Sequence, residues 1–304
     1  MGEGKVKVVV VLGPTGSGKS ELAERLAAAM GAEIVNADSM QVYRGMDIGT
    51  AKPSPAAVAR IPHHLLDIVP PDVNYSAARF RRDAAVAISE IDRRGGKPIL
   101  VGGTGLYIRA LLQGLVDAPS CDDGFRRRLE GVAGGELLRR LAEVDPETAA
   151  RLHPNDRVRI VRALEVFHQT GRPMSAVRTE HGFSGAFYET LKIGIRVGRE
   201  ELYRRIERRV DGMLEAGLVE EVRSLLAAGY DRKCKSMRAI GYKEIAAYLS
   251  GEVTLNEAVS LIKRDTRRYA KRQMTWFNRD DEIYWLEYPE SFDSILGHVI
   301  EFFA

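Results

Sequence analysis

The sequence predicts an α/β fold in which a parallel sheet is flanked by helices and carries an inserted all-helical domain. Three observations carry that expectation. Strand-like apolar runs alternate with helical segments through the first third of the chain, a helical stretch without strands occupies 120–187, and a strand pattern resumes at 189–197. In order, residues 5–12 end in the run VVVVL, of the kind buried on both faces of a parallel sheet. They feed a helix over 18–30 that Gly31 ends. AEIVNA at 32–37 is the second strand and ends at Asp38. Ser76 caps a helix running to about Arg94, closed by Gly95 and Gly96. KPILVGG at 97–103 is the third strand, with a helix starting near Thr104. After Pro119 come GELLRRLAEV and NDRVRIVRALEVFHQTG, both helical in period, and then the strand ETLKIGIRV at 189–197. Helices over 199–228, 236–249 and 255–278 follow, with a last strand in EIYWLEY. The expected division is therefore 1–119 with 188–304 as the core and 120–187 as the insertion.

Composition sets bounds on function. The chain has 304 residues, 45% apolar and 29% charged, ordinary for a globular protein. No apolar run approaches the roughly 20 residues of a membrane helix, and MGEGKVK lacks a signal pattern. Cys121 and Cys234 offer neither a disulfide framework nor a four-ligand zinc site, and His63 and His64 read as packing or surface residues. A cytoplasmic monomer with no membrane association is the expectation. The net charge is only +3, but its distribution is uneven. Residues 232–243 hold five basic side chains and no acid, and 263–279 hold seven against one Asp. With Tyr242, Tyr269, Trp276 and Phe277 interleaved, these runs point to a phosphate-backbone footprint rather than a merely solvated helix face.

The chemistry starts at G-x-x-x-x-G-K-[ST], met by Gly13 through Ser20 between a strand and a helix, which makes the sheet P-loop NTPase-like. Small residues let successive amides point inward, and the helix N-terminus adds its positive dipole end. Lys19 brings a full charge, and the Ser20 hydroxyl can ligate Mg²⁺. Such a cradle accepts a diphosphate group whatever it is attached to. The N-K-x-D motif of guanine recognition is missing, and the strand ILVGG ends in Gly102-Gly103-Thr104 rather than a metal-holding acid. EIVNA does end at an acid, Asp38, which could hold a metal or act as a base facing the loop.

Around Asp38 a resemblance comes into view. GPTGSGKS, DSMQVYRGMDIGTAKP, HHLLDIV, YSAARFRRDA, VGGTGLYIRALL, HPNDRVRIVRALEV, MRAIGYKE and YAKRQMTWF occur in that order. Together they resemble the tRNA dimethylallyltransferase family, over nearly the whole chain. Gly16 stands where many members have Ala and Ser20 where many have Thr, and both keep the chemistry. The C-terminal zinc finger of eukaryotic members is not found, so the resemblance is to the bacterial form.

The resemblance implies that the loop of Gly13, Pro14, Thr15, Gly16, Ser17, Gly18, Lys19 and Ser20 holds dimethylallyl diphosphate, with Mg²⁺ as cofactor at Ser20. Diphosphate is then the leaving group. Arg209, assisted by Arg205, would stabilise it, although both arginines could instead pair with Glu201 or Glu207 at helical spacing. The acceptor is the exocyclic amine of the tRNA adenosine beside the anticodon. Asp38 matches the family's base, with a helix N-cap as its alternative role. Thr104 hydrogen-bonds at the same centre or caps the following helix. Ser39, Met40 and Gln41 contact the acceptor, whose base must flip out of its stack. The insertion resembles the lobe that clamps the anticodon stem-loop, where Arg126, Val158, Arg159, Ile160, Val161 and Arg162 match RNA-touching positions. Arg159 and Arg162 could also lie on a solvated face. Arg238, Ala239, Ile240, Gly241, Tyr242 and Lys243, with Arg268, Lys271 and Arg272, would follow the tRNA backbone. An adenylate isopentenyltransferase and a P-loop small-molecule kinase are the alternatives. The RNA-sized insertion argues against the first, and the want of an ATP lid against the second.

Overall fold

A computed structural model describes residues 4–115, 119, 121–181, 185–289 and 291–304. Six strands, β1 (Lys7–Leu12), β2 (Glu33–Asn36), β3 (His63–His64), β4 (Pro98–Gly102), β5 (Glu189–Ile195) and β6 (Tyr284–Leu286), form one sheet in the order β3-β2-β4-β1-β5-β6. Every neighbouring pair is parallel. Both faces are covered, which is why β1 can be apolar at consecutive positions. Val8, Val10 and Leu12 face one core, Val9 and Val11 the other. The second core is shared with α1 (Lys19–Met30), through Leu22 and Leu26, and with α14 (Phe292–Phe303), through Ile295 and Val299. The first is shared with α3 (Ala77–Arg93), α4 (Gly105–Gln113), α10 (Arg199–Glu215), α11 (Leu218–Ala227), α12 (Tyr242–Leu249) and α13 (Leu255–Phe277). A short α2 (Pro55–Arg60), capped by Ser54, buries no residue.

The chain divides into two compact units, Met1–Leu112 with Ala186–Ala304, and Gln113–Gly185. The second is all-helical among the described residues: α5 (Asp123–Leu129), α6 (Gly134–Val144), α7 (Pro146–Ala150), α8 (Arg157–Thr170) and α9 (Met174–His181). Its core gathers Leu129, Leu137, Leu141, Ile160, Ala163 and Leu164.

Several elements depart from the sequence expectation for local reasons. The helix expected over 199–228 is two, because Gly217 at φ 99 starts a fresh one. That expected over 236–249 is a 3-10 turn at Ser236–Arg238 followed by α12, whose N-cap is Gly241 at φ 98. β3, only two residues long, α2 and α14 were not expected at all.

What matters for function is the strand order. β2, β4 and β1 are neighbours and parallel, so the loops leaving their C-terminal ends, 37–41, 103–104 and 13–18, emerge side by side.

Candidate active site

After β1 the chain turns through Gly13 (φ 154), Gly16 (φ 81) and Gly18 (φ 97) before α1 begins. Gly18 is the N-cap and gives no side-chain cap, so the first N–H groups of α1 stay available to an anion. The loop is held from outside. A Cβ at Gly16 would come within 3.2 Å of Ile206, and one at Gly18 within 3.3 Å of Tyr288. Lys19 lies back over the loop, its Nζ 3.4 Å from the Pro14 carbonyl. Burial, followed by the nearby Arg209 guanidinium, pushes Lys19 down to about 8, with Asp38 pulling the other way. Arg209 is likewise lowered by burial and raised by Asp38. Two cations and one carboxylate thus share each other's fields above the phosphate loop.

Asp38 follows β2. Its Oδ1 accepts from the Met40 backbone N–H at 2.8 Å, and among the described residues Oδ2 has no hydrogen-bond partner. No helix follows, so Asp38 closes a turn rather than capping a helix. Thr104 Oγ1 accepts from the Ser39 N–H at 3.1 Å and donates to Ser39 Oγ at 3.4 Å, tying the β4 loop to the Asp38 loop. Ser20 stands exposed in the first turn of α1. Among the described residues no group of three His, Cys, Asp or Glu is arranged to hold a metal. One hydroxyl suits Mg²⁺ that draws its remaining oxygens from phosphates and water.

Other expected residues fall elsewhere. Arg205 is tied to Glu201 at 2.8 Å, the surface pairing at i,i+4 spacing, while Arg209 faces the site. Gln41 is buried and donates to the Thr50 and Ala51 carbonyls, so its amide nitrogen folds its own loop rather than reading a base. Ile160 is fully buried in the helical unit and cannot meet RNA, whereas Val158 on the same helix is 82% exposed. Tyr242 is also fully buried: its hydroxyl donates to Glu221 at 2.6 Å, and Gly241 before it is buried. Arg238, Lys243, Arg268, Lys271, Arg272 and Arg159 are exposed, and Ala239, Ile240 and Val161 half-buried. Arg126 and Arg162 both grip Glu165, which is fully buried.

Glu221 and Gln273, to which the sequence assigns no role, tie the loops around the site, as Glu165 ties two arginines within the helical unit. Glu221 accepts from the consecutive N–H groups of Asp47, Ile48 and Gly49, at 2.9, 2.7 and 3.1 Å, anchoring the long loop after Asp38. Glu165 orients the two arginines. Gln273 and Tyr269, on α13, reach the phosphate loop and Thr104. The one available signal was an uncharged Gln inside the basic run KRQMTWF.

The IPP transferase family profile matches residues 41–280, and an isopentenyl transferase profile matches residues 6–70. The chain is 68% identical over 302 residues to a tRNA dimethylallyltransferase 1 of Citrifermentans bemidjiense, covering 99% of each. It is also 68% identical to a tRNA dimethylallyltransferase 2 of Geotalea uraniireducens, covering 100% of this chain and 99% of that one. A crystal structure of tRNA delta(2)-isopentenylpyrophosphate transferase from Staphylococcus epidermidis superposes with a TM-score of 0.72 at 40% identity, covering 98% of both chains. A eukaryotic dimethylallyltransferase acting on tRNA gives a TM-score of 0.79 at 33% identity, over 93% of this chain and 74% of that one.

Proposed function

The chain belongs to the IPP transferase family, and from that premise we propose that it transfers a dimethylallyl group from dimethylallyl diphosphate to the exocyclic amine of the adenosine adjacent to the anticodon in tRNA, releasing diphosphate. The observation that carries the reading is the convergence of Lys19, Arg209 and Asp38 above the loop after β1. A diphosphate in that loop meets free helix-terminal N–H groups and two cations. As the allylic C–O bond breaks, its electron pair stays on diphosphate, and these same groups stabilise the growing charge. Mg²⁺ bound through Ser20 and the diphosphate oxygens would add further neutralisation when present. The adenine amine is a weak nucleophile because its lone pair is delocalised into the ring. Asp38 Oδ2, which has no hydrogen-bond partner among the described residues, would accept its proton as the N–C bond forms. Thr104 and Ser39 fix the loop from which that carboxylate projects.

For tRNA, exposed Arg159 of α8 and the exposed basic face of α13 support backbone contact, with the helical unit clamping the anticodon stem-loop. The test is a competition. Labelled dimethylallyl diphosphate and Mg²⁺ are offered with unmodified tRNA and free AMP together, and label enters tRNA. Label in AMP instead would establish the adenylate isopentenyltransferase reading. Asp38→Ala is expected to abolish transfer nearly completely while tRNA affinity stays within severalfold of wild type. Undiminished turnover would remove Asp38 from the role of base.

A further inference from the structure

We infer that Gln273 is a positioning residue for the transfer reaction, a single amide that holds the donor's phosphate loop in register with the loops carrying Thr104 and Asp38. Its Oε1 accepts from the Thr15 N–H at 2.9 Å, and its Nε2 donates to the Gly103 carbonyl at 2.9 Å. The side chain is only 5% exposed, and its bond to Gly103 is buried from water, where losing it is costly; the bond from Thr15 is part-buried. Gly103 is shaped for it: a Cβ there would lie 2.2 Å from Nε2. One turn earlier on α13, burial raises the pKa of the Tyr269 hydroxyl, and the nearby side chains of Thr104 and Gln273 act against that rise. Thr104 in turn holds Ser39, beside Asp38. The three loops that leave β1, β4 and β2 are thus stitched together from one helix about 170 to 260 residues away in the chain.

Packing alone would be met by Leu or Met. A group that donates to one loop and accepts from another is met by an amide. The inference rests on the proposed reading of residues 13–20 as the donor cradle, and it predicts a particular split in kinetics. Gln273→Met keeps the volume and removes both bonds. The KM for dimethylallyl diphosphate should rise about tenfold, as expected for loss of these hydrogen bonds, while tRNA affinity stays within about twofold. Gln273→Glu can still accept from Thr15, but ionised it cannot donate to Gly103 and it sets a negative charge beside the phosphates. Its donor KM should exceed that of Gln273→Met near pH 8 and fall towards wild type as acidification protonates the new carboxyl, whose pKa burial raises, so that it donates again.

Wild-type protein is assayed alongside. If it does not prenylate tRNA, the reaction reading fails. If it does and the variants do not behave as stated, only the inference fails. A Gln273→Met enzyme with wild-type KM, donor KM and tRNA affinity that worsen together in step with melting temperature, or a Gln273→Glu pH profile parallel to wild type, would each overturn it. Should Gln273→Met not fold, the pH profile of Gln273→Glu decides alone.

Discussion

Lys19 is placed where its charge is both needed and opposed. With its pKa pushed down to about 8 by burial and Arg209, an appreciable fraction is neutral in mildly alkaline solution. A bound diphosphate favours the ammonium form, so its pKa in the complex lies above 8 and binding takes up a proton between the two values. Donor affinity should therefore fall as pH rises through about 8, by at most tenfold per unit, and calorimetry in two buffers should register proton uptake near pH 8.5. Lys19→Arg, charged throughout, should erase that breakpoint. A second residue-scale expectation concerns Glu165. Burial pushes its carboxyl up, but hydrogen bonds from Arg126 and Arg162 more than offset this and hold it below the usual carboxylate range. Glu165→Gln keeps the shape and loosens both guanidinium groups, so tRNA affinity should drop about tenfold with the helical content intact, measured by filter binding and circular dichroism. Unchanged affinity would mean that Arg126 and Arg162 serve only the fold. Lys19 stands out in the sequence through the spacing of the phosphate-loop motif, and Asp38, Thr104 and Arg209 through the family resemblance. Glu165, Glu221 and Gln273 do not, since a polar residue on a helix announces no partner until the fold brings one.

At the scale of elements, the long apolar strands and strongly periodic helices could be read directly, because burial on both faces leaves an unmistakable run and a Ser or Thr cap a start. Short elements escaped: β3 exists only by pairing with β2, and α2 buries nothing. The loop from Asp38 to Lys52 shows why a long specific motif need not be a contact surface. Lys52 Nζ is nearly buried and bonds the Tyr43 carbonyl, Asp47 and Asp67. Glu221 bonds three consecutive amides from the other side, and a Cβ at Gly49 would strike the Tyr242 ring at 2.5 Å. Much of the motif therefore specifies how the loop is tied down. Glu221→Ala should leave the amides of 47–49 unpaired and destabilise the fold by about 2–3 kcal/mol. Hydrogen exchange should show those amides losing protection while β1 keeps its own. Equal exchange in the variant and wild type would show that water or a rearranged side chain replaces the carboxylate.

Across the whole molecule, a net charge of +3 conceals an uneven distribution, and the salt dependence of tRNA binding should report where the charge acts. Each phosphate contact contributes about 0.7 to 0.9 to the slope of log affinity against log salt, so contacts made by different parts of the chain add. Arg159, in the helical unit, is 69% exposed and only loosely paired with Asp156 at 3.3 Å. Arg268 and Lys271, three residues apart on the outer face of α13, are likewise exposed, Arg268 reaching Asp265 only at 3.6 Å. None of the three belongs to a core, so their removal tests binding rather than folding. Arg159→Ala should flatten the slope by just under one unit, the pair Arg268→Ala with Lys271→Ala by up to two, and the triple variant by the sum. The measurement is tRNA affinity from about 50 to 300 mM KCl for all four proteins. Additive slopes require one tRNA to engage both units in the same complex, as an enzyme that must hold a stem-loop while flipping a base beside it would demand. If Arg159→Ala left the slope untouched, Arg159 would have no hold on the phosphate backbone, and any grip by the helical unit would fall to other side chains such as Arg126 and Arg162.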